Sequence, residues 1–215
     1  MAIALKSLDA AVERAQLLMG KGRMILGILG KPGSGKSTIA KLLSARLGAK
    51  ARVVPMDGYH LSNKVLRELG RAARKGALDT FDALGYTVLL QRIKNEPDSI
   101  IYYPVFHRTI EESIAAEGAV SPDVELVITE GNYLLHPRDG WGGVREVLDE
   151  SWYVDVGDEV RIERLIERCR GHGKTLEEAI IWSTGTDEVN AQVIGKTRQF
   201  ADVIITVGEL APEAR

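Results

Sequence analysis

The chain has 215 residues, 45% of them hydrophobic and 27% charged, with 28 lysines and arginines against 30 aspartates and glutamates and a formal net charge of −2. That balance is ordinary for a globular domain and carries no basic excess of the kind a nucleic-acid or anionic-membrane binder needs. No apolar run approaches the roughly 20 residues that cross a bilayer, and the single cysteine, Cys169, excludes an internal disulfide and a multi-cysteine zinc site.

The N-terminal stretch ALKSLDAAVERAQLLMGKGR (4–23) is charged and amphipathic, unlike the apolar centre of a signal peptide, so a cytoplasmic protein is expected. Beyond it, short apolar runs alternate with helical patterns. MILGILG (24–30) precedes a helix over Ser37–Leu47, and ARVVPMD (51–57) precedes one over Asp82–Lys94. SIIYYPVF (99–106) and VELVITEG (124–131) follow, then a short helix over Gly143–Leu148 and the run SWYVDVG (151–157). Helices over Asp158–Arg170, Leu176–Trp182 and Glu188–Phe200 lead to ADVIITVG (201–208). Runs that are apolar on both faces suit a buried parallel sheet with crossover helices between the strands. The expected architecture is therefore α/β with three layers, a mostly parallel central sheet, and one domain over residues 1–215. In such open sheets ligands bind beyond the carboxyl ends of the strands, so that is where chemistry should gather.

Gly30-Lys31-Pro32-Gly33-Ser34-Gly35-Lys36-Ser37 fits G-x-x-x-x-G-K-[ST], the P-loop pattern, between a strand candidate and a helix candidate. Glycines let the backbone turn sharply and bring its N–H groups against phosphate oxygens at a helix N-terminus. The expected nucleotide cradle is thus Gly30, Pro32, Gly33, Ser34, Gly35, Lys36, Ser37 and Thr38 of a P-loop NTPase fold. Lys36 would reach the β- and γ-phosphates, Ser37 would ligate Mg²⁺, and Thr38 would touch the α-phosphate. The spacing G-x-G-x-x-G of a dinucleotide site is not met.

Two acids stand at strand ends. Glu130 closes VELVITEG in the Walker B position and is the second expected metal contact; the plainer alternative is a solvated strand-end carboxylate. Asp57 closes RVVPMD, where it could accept the proton of an attacking hydroxyl. Its rival role is N-cap of a helix begun in YHLSNKVLREL.

GKPGSGKS, MDGYH, YYPVFHR and ITEGNYLL together resemble the uridine kinase, pantothenate kinase and phosphoribulokinase group of P-loop kinases, from about Met24 to Gly208. Among these the chain is most similar to short bacterial proteins described as fructose-transport-system or nucleoside kinases. The resemblance implies ATP, Mg²⁺ and a small acceptor bearing a hydroxyl, and related kinases are often homodimers. It places acceptor-binding groups in KGALDTFDALG and YYPVFHRTIEES, and so points to Asp79, Asp82, His107 and Arg108 beside Asp57, Tyr59, His60 and Glu130. Each of the first four reads equally well as a surface loop residue. Uridine kinases usually carry Asp-Ser-Phe-Tyr where this chain has Asp57-Gly58-Tyr59-His60, so the acceptor is not carried over.

Arg161, Arg164 and Arg168 recur at spacings of three and four before Gly171-His172-Gly173, which suggests a closing helical lid over about 161–185. Arg164 and Arg168 are the expected contacts to the transferred group, although Glu163 and Glu167 also permit an exposed, salt-bridged helix. Asp187, Asn190 and Gly208 lie in the segment that follows, and Trp141, Trp152 and Trp182 read as packing residues. The expected activity is transfer of the γ-phosphate to a hydroxyl of a sugar, nucleoside or pantothenate-like metabolite, catalysed by Lys36, Asp57, Arg164 and Arg168. The alternatives are a P-loop ATPase or a nucleotide sensor beside a transport system; the Asn-Lys-x-Asp motif of a GTPase is absent.

Overall fold

A computed structural model describes residues 2–171 and 173–206. Six strands make one sheet: β1 (Ile3–Leu5), β2 (Met24–Leu29), β3 (Ala51–Pro55), β6 (Leu126–Gly131), β7 (Glu150–Val154) and β8 (Val203–Ile205), in the order β1-β8-β7-β2-β6-β3. Every pairing in it is parallel. Among the described residues eight α-helices accompany it: α1 (Leu8–Gln16), α2 (Lys36–Leu47), α3 (Asn63–Glu68), α4 (Ala83–Asn95), α5 (Gly142–Val147), α6 (Asp158–Gly171), α7 (Leu176–Thr184) and α8 (Thr186–Gly195). None of these helices is long and apolar enough to cross a membrane.

Strand periodicity builds the three layers. In β2, Leu26 and Ile28 face one core with Ala11 and Ala15 of α1 and Ile39 and Leu43 of α2. Ile25 and Leu29 face the other, against Tyr86, Leu90 and Ile93 of α4 and Val144 of α5. Burying each leucine or isoleucine among them stabilises the fold by about 1.5–3 kcal/mol. The start of β2 is pinned by buried Arg23, which donates to the carbonyls of Pro97 at 2.6 Å and Ser121 at 2.9 Å.

Three expectations are corrected. SIIYYPVF is not a sheet strand: β4 (Ile101–His107) pairs antiparallel with β5 (Glu112–Val120) in a separate hairpin. Its burial alternates, Ile101 and Tyr103 inside with Tyr102 outside, which is the pattern of a strand packed on one face. The Glu188–Phe200 helix ends at Gly195, where the Thr197 hydroxyl donates to the Ile194 carbonyl and a single 3₁₀ turn follows at Arg198–Phe200. Within ADVIITVG the strand covers Val203–Ile205, and Gly208 lies outside the described residues, as does His172 of the expected hinge. Strands β1 and β5 escape sequence reading, the first because it abuts an amphipathic helix and the second because Glu-Ser-Ile-Ala-Ala-Glu-Gly-Ala-Val has weak strand propensity.

Candidate active site

The loop after β2 is shaped by glycine. Gly33 and Gly35 have φ of 80° and 89°, a region that side chains disfavour. A Cβ on Gly33 would also lie 2.3 Å from the Arg161 carbonyl oxygen, so α6 can rest on the loop only because that atom is missing. The first turn of α2 holds no acidic residue, so no side-chain carboxylate there competes with an anion for the positive end of the helix. The buried Ser34 hydroxyl beside that end has no hydrogen-bond partner. Lys31, in the same loop, is engaged by Asp158 at 2.8 Å.

Register sets the acids. Glu130 lies opposite Ile28 of β2 on one side and Pro55 of β3 on the other, level with the start of the loop. Two residues past Pro55, Asp57 sits in a 3₁₀ turn over Met56–Tyr59. Lys36, Ser37, Asp57, Glu130, Arg108 and Arg168 line one cleft of about 710 Å³. Burial pulls Lys36 below its ordinary value, opposed by the charges of Glu130 and Asp57. Glu130 is pushed up by burial, against the pull of Lys36 and a hydrogen bond donated by the Ser37 hydroxyl. Arg108 Nη2 donates to Asp57 Oδ2 at 3.2 Å. Asp57 is not a helix N-cap; Ser62 caps α3 by accepting from the Val65 amide.

The profile of the Phosphoribulokinase / Uridine kinase family matches residues 25–211. The chain belongs to this family. A uridine kinase of Clostridium botulinum is 30% identical over 197 residues, covering 87% of this chain and 90% of its own length. A "Putative uridine kinase" of Schizosaccharomyces pombe is 33% identical over 214 residues, covering 93% of this chain and 90% of its own. The crystal structure of a "putative fructose transport system kinase" from Silicibacter sp. TM1040 superposes with a TM-score of 0.85 at 35% identity, covering 92% of this chain and 98% of that one. The chain is accordingly an ATP-dependent kinase, a phosphotransferase acting on the hydroxyl of a small molecule.

Around the kinase's cleft, the sequence-expected residues divide. His60 reaches it, its ring centroid 4.0 Å from Phe81 and 4.6 Å from Phe106, with Nδ1 2.7 Å from the Asp57 carbonyl. Burial holds this imidazole below its usual range. Tyr59 instead turns into the core against Tyr86, with centroids 5.4 Å apart, and burial pushes its phenol up to about 12. Asp79 is held by Arg71 and Arg74, Asp82 caps α4 by accepting from the Gly85 amide at 2.9 Å, and His107 meets Glu117 at 2.6 Å. None of these four lines the cleft; Asp79, Asp82 and His107 each find a partner close in sequence or on the same hairpin, and Tyr59 packs against α4.

On the far wall Arg168 faces the cleft, whereas Arg164 does not. Arg161 is 1% exposed and bound to Asp158 at 2.5 Å and to Glu188. The buried stripe of α6 runs through Arg161, Leu165 and Cys169, so the three arginines do not act as one face. Trp182 lines the cleft beneath Lys174, whose Nζ is 5.2 Å from its ring centre, while Trp141 and Trp152 are fully buried. Asn63, Lys75 and Asn132 also line it and were missed. No spacing marks them, because they come from separate segments. A usable signal lay in the Asn of LSNK, three residues after MDGYH, and in the Asn inside ITEGNYLL.

Proposed function

We propose that this kinase transfers the γ-phosphate of ATP to a hydroxyl held beside Asp57, in the part of the cleft bounded by His60, Phe106 and Arg108. The observation that carries this reading is the shared cleft: the P-loop lysine and the Asp57 carboxylate open onto one space, and Arg108 orients that carboxylate at 3.2 Å. In-line phosphoryl transfer asks mainly for positioning and charge compensation. Backbone amides of the loop and the Lys36 ammonium would hold the phosphates, and the unpartnered Ser34 hydroxyl fits an oxygen-rich ligand in the cradle. Asp57 would take the proton of the acceptor hydroxyl as the bond to phosphorus forms.

Mg²⁺ suits the donors present, since it is commonly held by one or two carboxylates, a hydroxyl and the substrate's own phosphates. Ser37 and Glu130 would hold it, directly or through water, and when bound it supplies compensation for phosphate charge. Arg168 would meet the transferred group from a lid formed by the end of α6 and by α7. The N-terminal part of α6 is not free to move with it, because Arg161 is clamped and its carbonyl packs on Gly33. Among acceptors, the relatives named uridine kinase favour testing nucleosides first, and the relative named for fructose transport favours testing sugars.

The test is a mass-spectrometric screen for phosphorylated product with uridine, cytidine, D-fructose, pantothenate and simple mono-alcohols. Nucleotide turnover should depend on an added acceptor. Asp57→Ala should cut turnover by about 10²–10⁴ while ATP binding persists. Turnover unchanged in that variant removes Asp57 from the chemistry, and the absence of product across the whole panel sinks the acceptor assignment.

A further inference from the structure

A loop rich in glycine can turn sharply, but the same freedom opens other shapes to it, so a cradle built this way gains from being held. Here the loop is packed from three sides. A Cβ on Gly30 would lie 2.8 Å from the Val154 carbonyl oxygen at the end of β7, and Gly33 meets the Arg161 carbonyl of α6 as closely as only a glycine can. A Cβ on Gly195 would lie 3.3 Å from Lys31 Cε, so the last residue of α8 rests against the stem of the loop's second residue.

Charges join the loop to the same two helices. Asp158 Oδ1 accepts from Lys31 Nζ at 2.8 Å and from Arg161 Nε at 2.5 Å, so one oxygen ties the loop to the start of α6. Arg161 Nη2 donates in turn to Glu188, in the first turn of α8. The hydrogen bonds from Lys31 and Arg161 hold the Asp158 carboxyl below its ordinary range. Exposure ranks the links. The Arg161 side chain is 1% exposed and leans on these two acids, whereas the Lys31 and Asp158 side chains are 28% and 57% exposed. Breaking a buried ion pair costs far more than breaking an exposed one.

From this network we infer that Asp158 and Glu188 are positioning residues for the nucleotide: through Lys31 and Arg161 they hold the phosphate loop in the shape that receives ATP. None of the four side chains lines the cleft, so they act through the loop's backbone and not by contact with the ligand. Preorganisation strengthens binding because the loop is ordered before the ligand arrives. The sign of the effect separates this role from simple electrostatics. An acid near a triphosphate repels it, so removing Asp158 or Glu188 would by charge alone tighten ATP, whereas loss of positioning weakens it. The inference rests on reading residues 30–38 as the phosphate cradle and adds to it the residues that set its shape.

Calorimetric titration with a non-hydrolysable ATP analogue and Mg²⁺, on variants shown to be folded by circular dichroism, tests this. Glu188→Ala and Asp158→Ala should each bind the analogue about 10-fold more weakly than the wild type. Lys31→Met should lose about 5-fold or less, because its ion pair is partly exposed. In steady-state kinetics the KM for ATP should rise in the alanine variants with kcat changed much less. Glu188→Gln keeps an oxygen for Arg161 and should recover most of the lost affinity. In the Asp158→Ala background Lys31→Met should add little, since both remove one contact; an additive loss would mean that Lys31 acts on the phosphates directly, against the proposal. Affinity unchanged or tightened in the alanine variants overturns it even if their melting midpoints fall, because the network is then structural only. If Glu188→Ala does not fold, Asp158→Ala, at the exposed end, decides by the same sign. The cradle reading falls separately, if Lys36→Ala binds the analogue as tightly as the wild type does.

Discussion

The two halves of the cleft are built in opposite ways. The phosphate cradle is one unbroken run, residues 30–38, whose shape follows from left-handed glycines and a helix N-terminus. The opposite wall, proposed as the acceptor wall, is collected from the turn after β3, the loop around Lys75, the hairpin β4–β5, the segment after β6 and α8. Its assembly turns on close approaches: a Cβ on Gly58 would fall 2.1 Å from the Pro104 carbonyl, so the hairpin carrying Arg108 reaches Asp57 only across a glycine. A contiguous site tolerates changes elsewhere in the fold, whereas a collected one is exposed to every contact that aligns its parts.

Substitutions can break that comparison. Lys36→Ala, in the cradle, should have the largest effect, a fall in kcat of about 10³ or more whichever acceptor is used, measured as product formed at saturating acceptor. A loss seen with one acceptor alone would mean that the lysine belongs to the acceptor wall. Arg108→Ala should raise the acceptor KM by about 10-fold and leave the KM for ATP unchanged, since one charge-assisted contact is lost and Asp57 is freed. A rise in the KM for ATP instead would blur the division between the halves.

His60 allows a subtler test through pH. Burial holds the folded imidazole below 6.5, so between that lowered value and 6.5 the unfolded chain binds more protons than the native one. Stability should therefore decline as pH falls through this window and level off below it. Thermal melts from about pH 7.5 down to about pH 5 should show a flatter decline for His60→Gln. Parallel curves for the two proteins would place the titration elsewhere. The smallest effect is expected at Asp79→Asn, where a partly exposed ion pair with Arg74 is worth about 1 kcal/mol or less and acceptor kinetics should not change. Altered acceptor KM there would return Asp79 to the site.

Legibility followed the same division. The P-loop could be read because its function is written in consecutive residues, and the order of apolar runs gave the parallel sheet because β2 and β6 are buried on both faces. Asp57 and Glu130 could be placed because strand ends are easy to find. The acidic and histidine residues of the acceptor segments were harder. Asp82 and Asp79 look alike in the sequence, and so do His60 and His107. Only the first of the two histidines lines the cleft, because His60 is bridged to Phe81 across the fold while His107 finds Glu117 on its own hairpin. Arg161 and Arg168 likewise share a helix and a spacing, yet one is buried under the loop and the other opens onto the cleft.

The amino-acid sequence alone determined the cradle, the strand tips that flank it and the layered α/β scaffold, because each rests on local backbone preference or on the period of apolar residues. Tertiary structure alone decided which polar side chains line the cleft. A side chain's access to the cleft depends on what packs behind it and on which partner reaches it first, and those neighbours come from segments far apart in the chain.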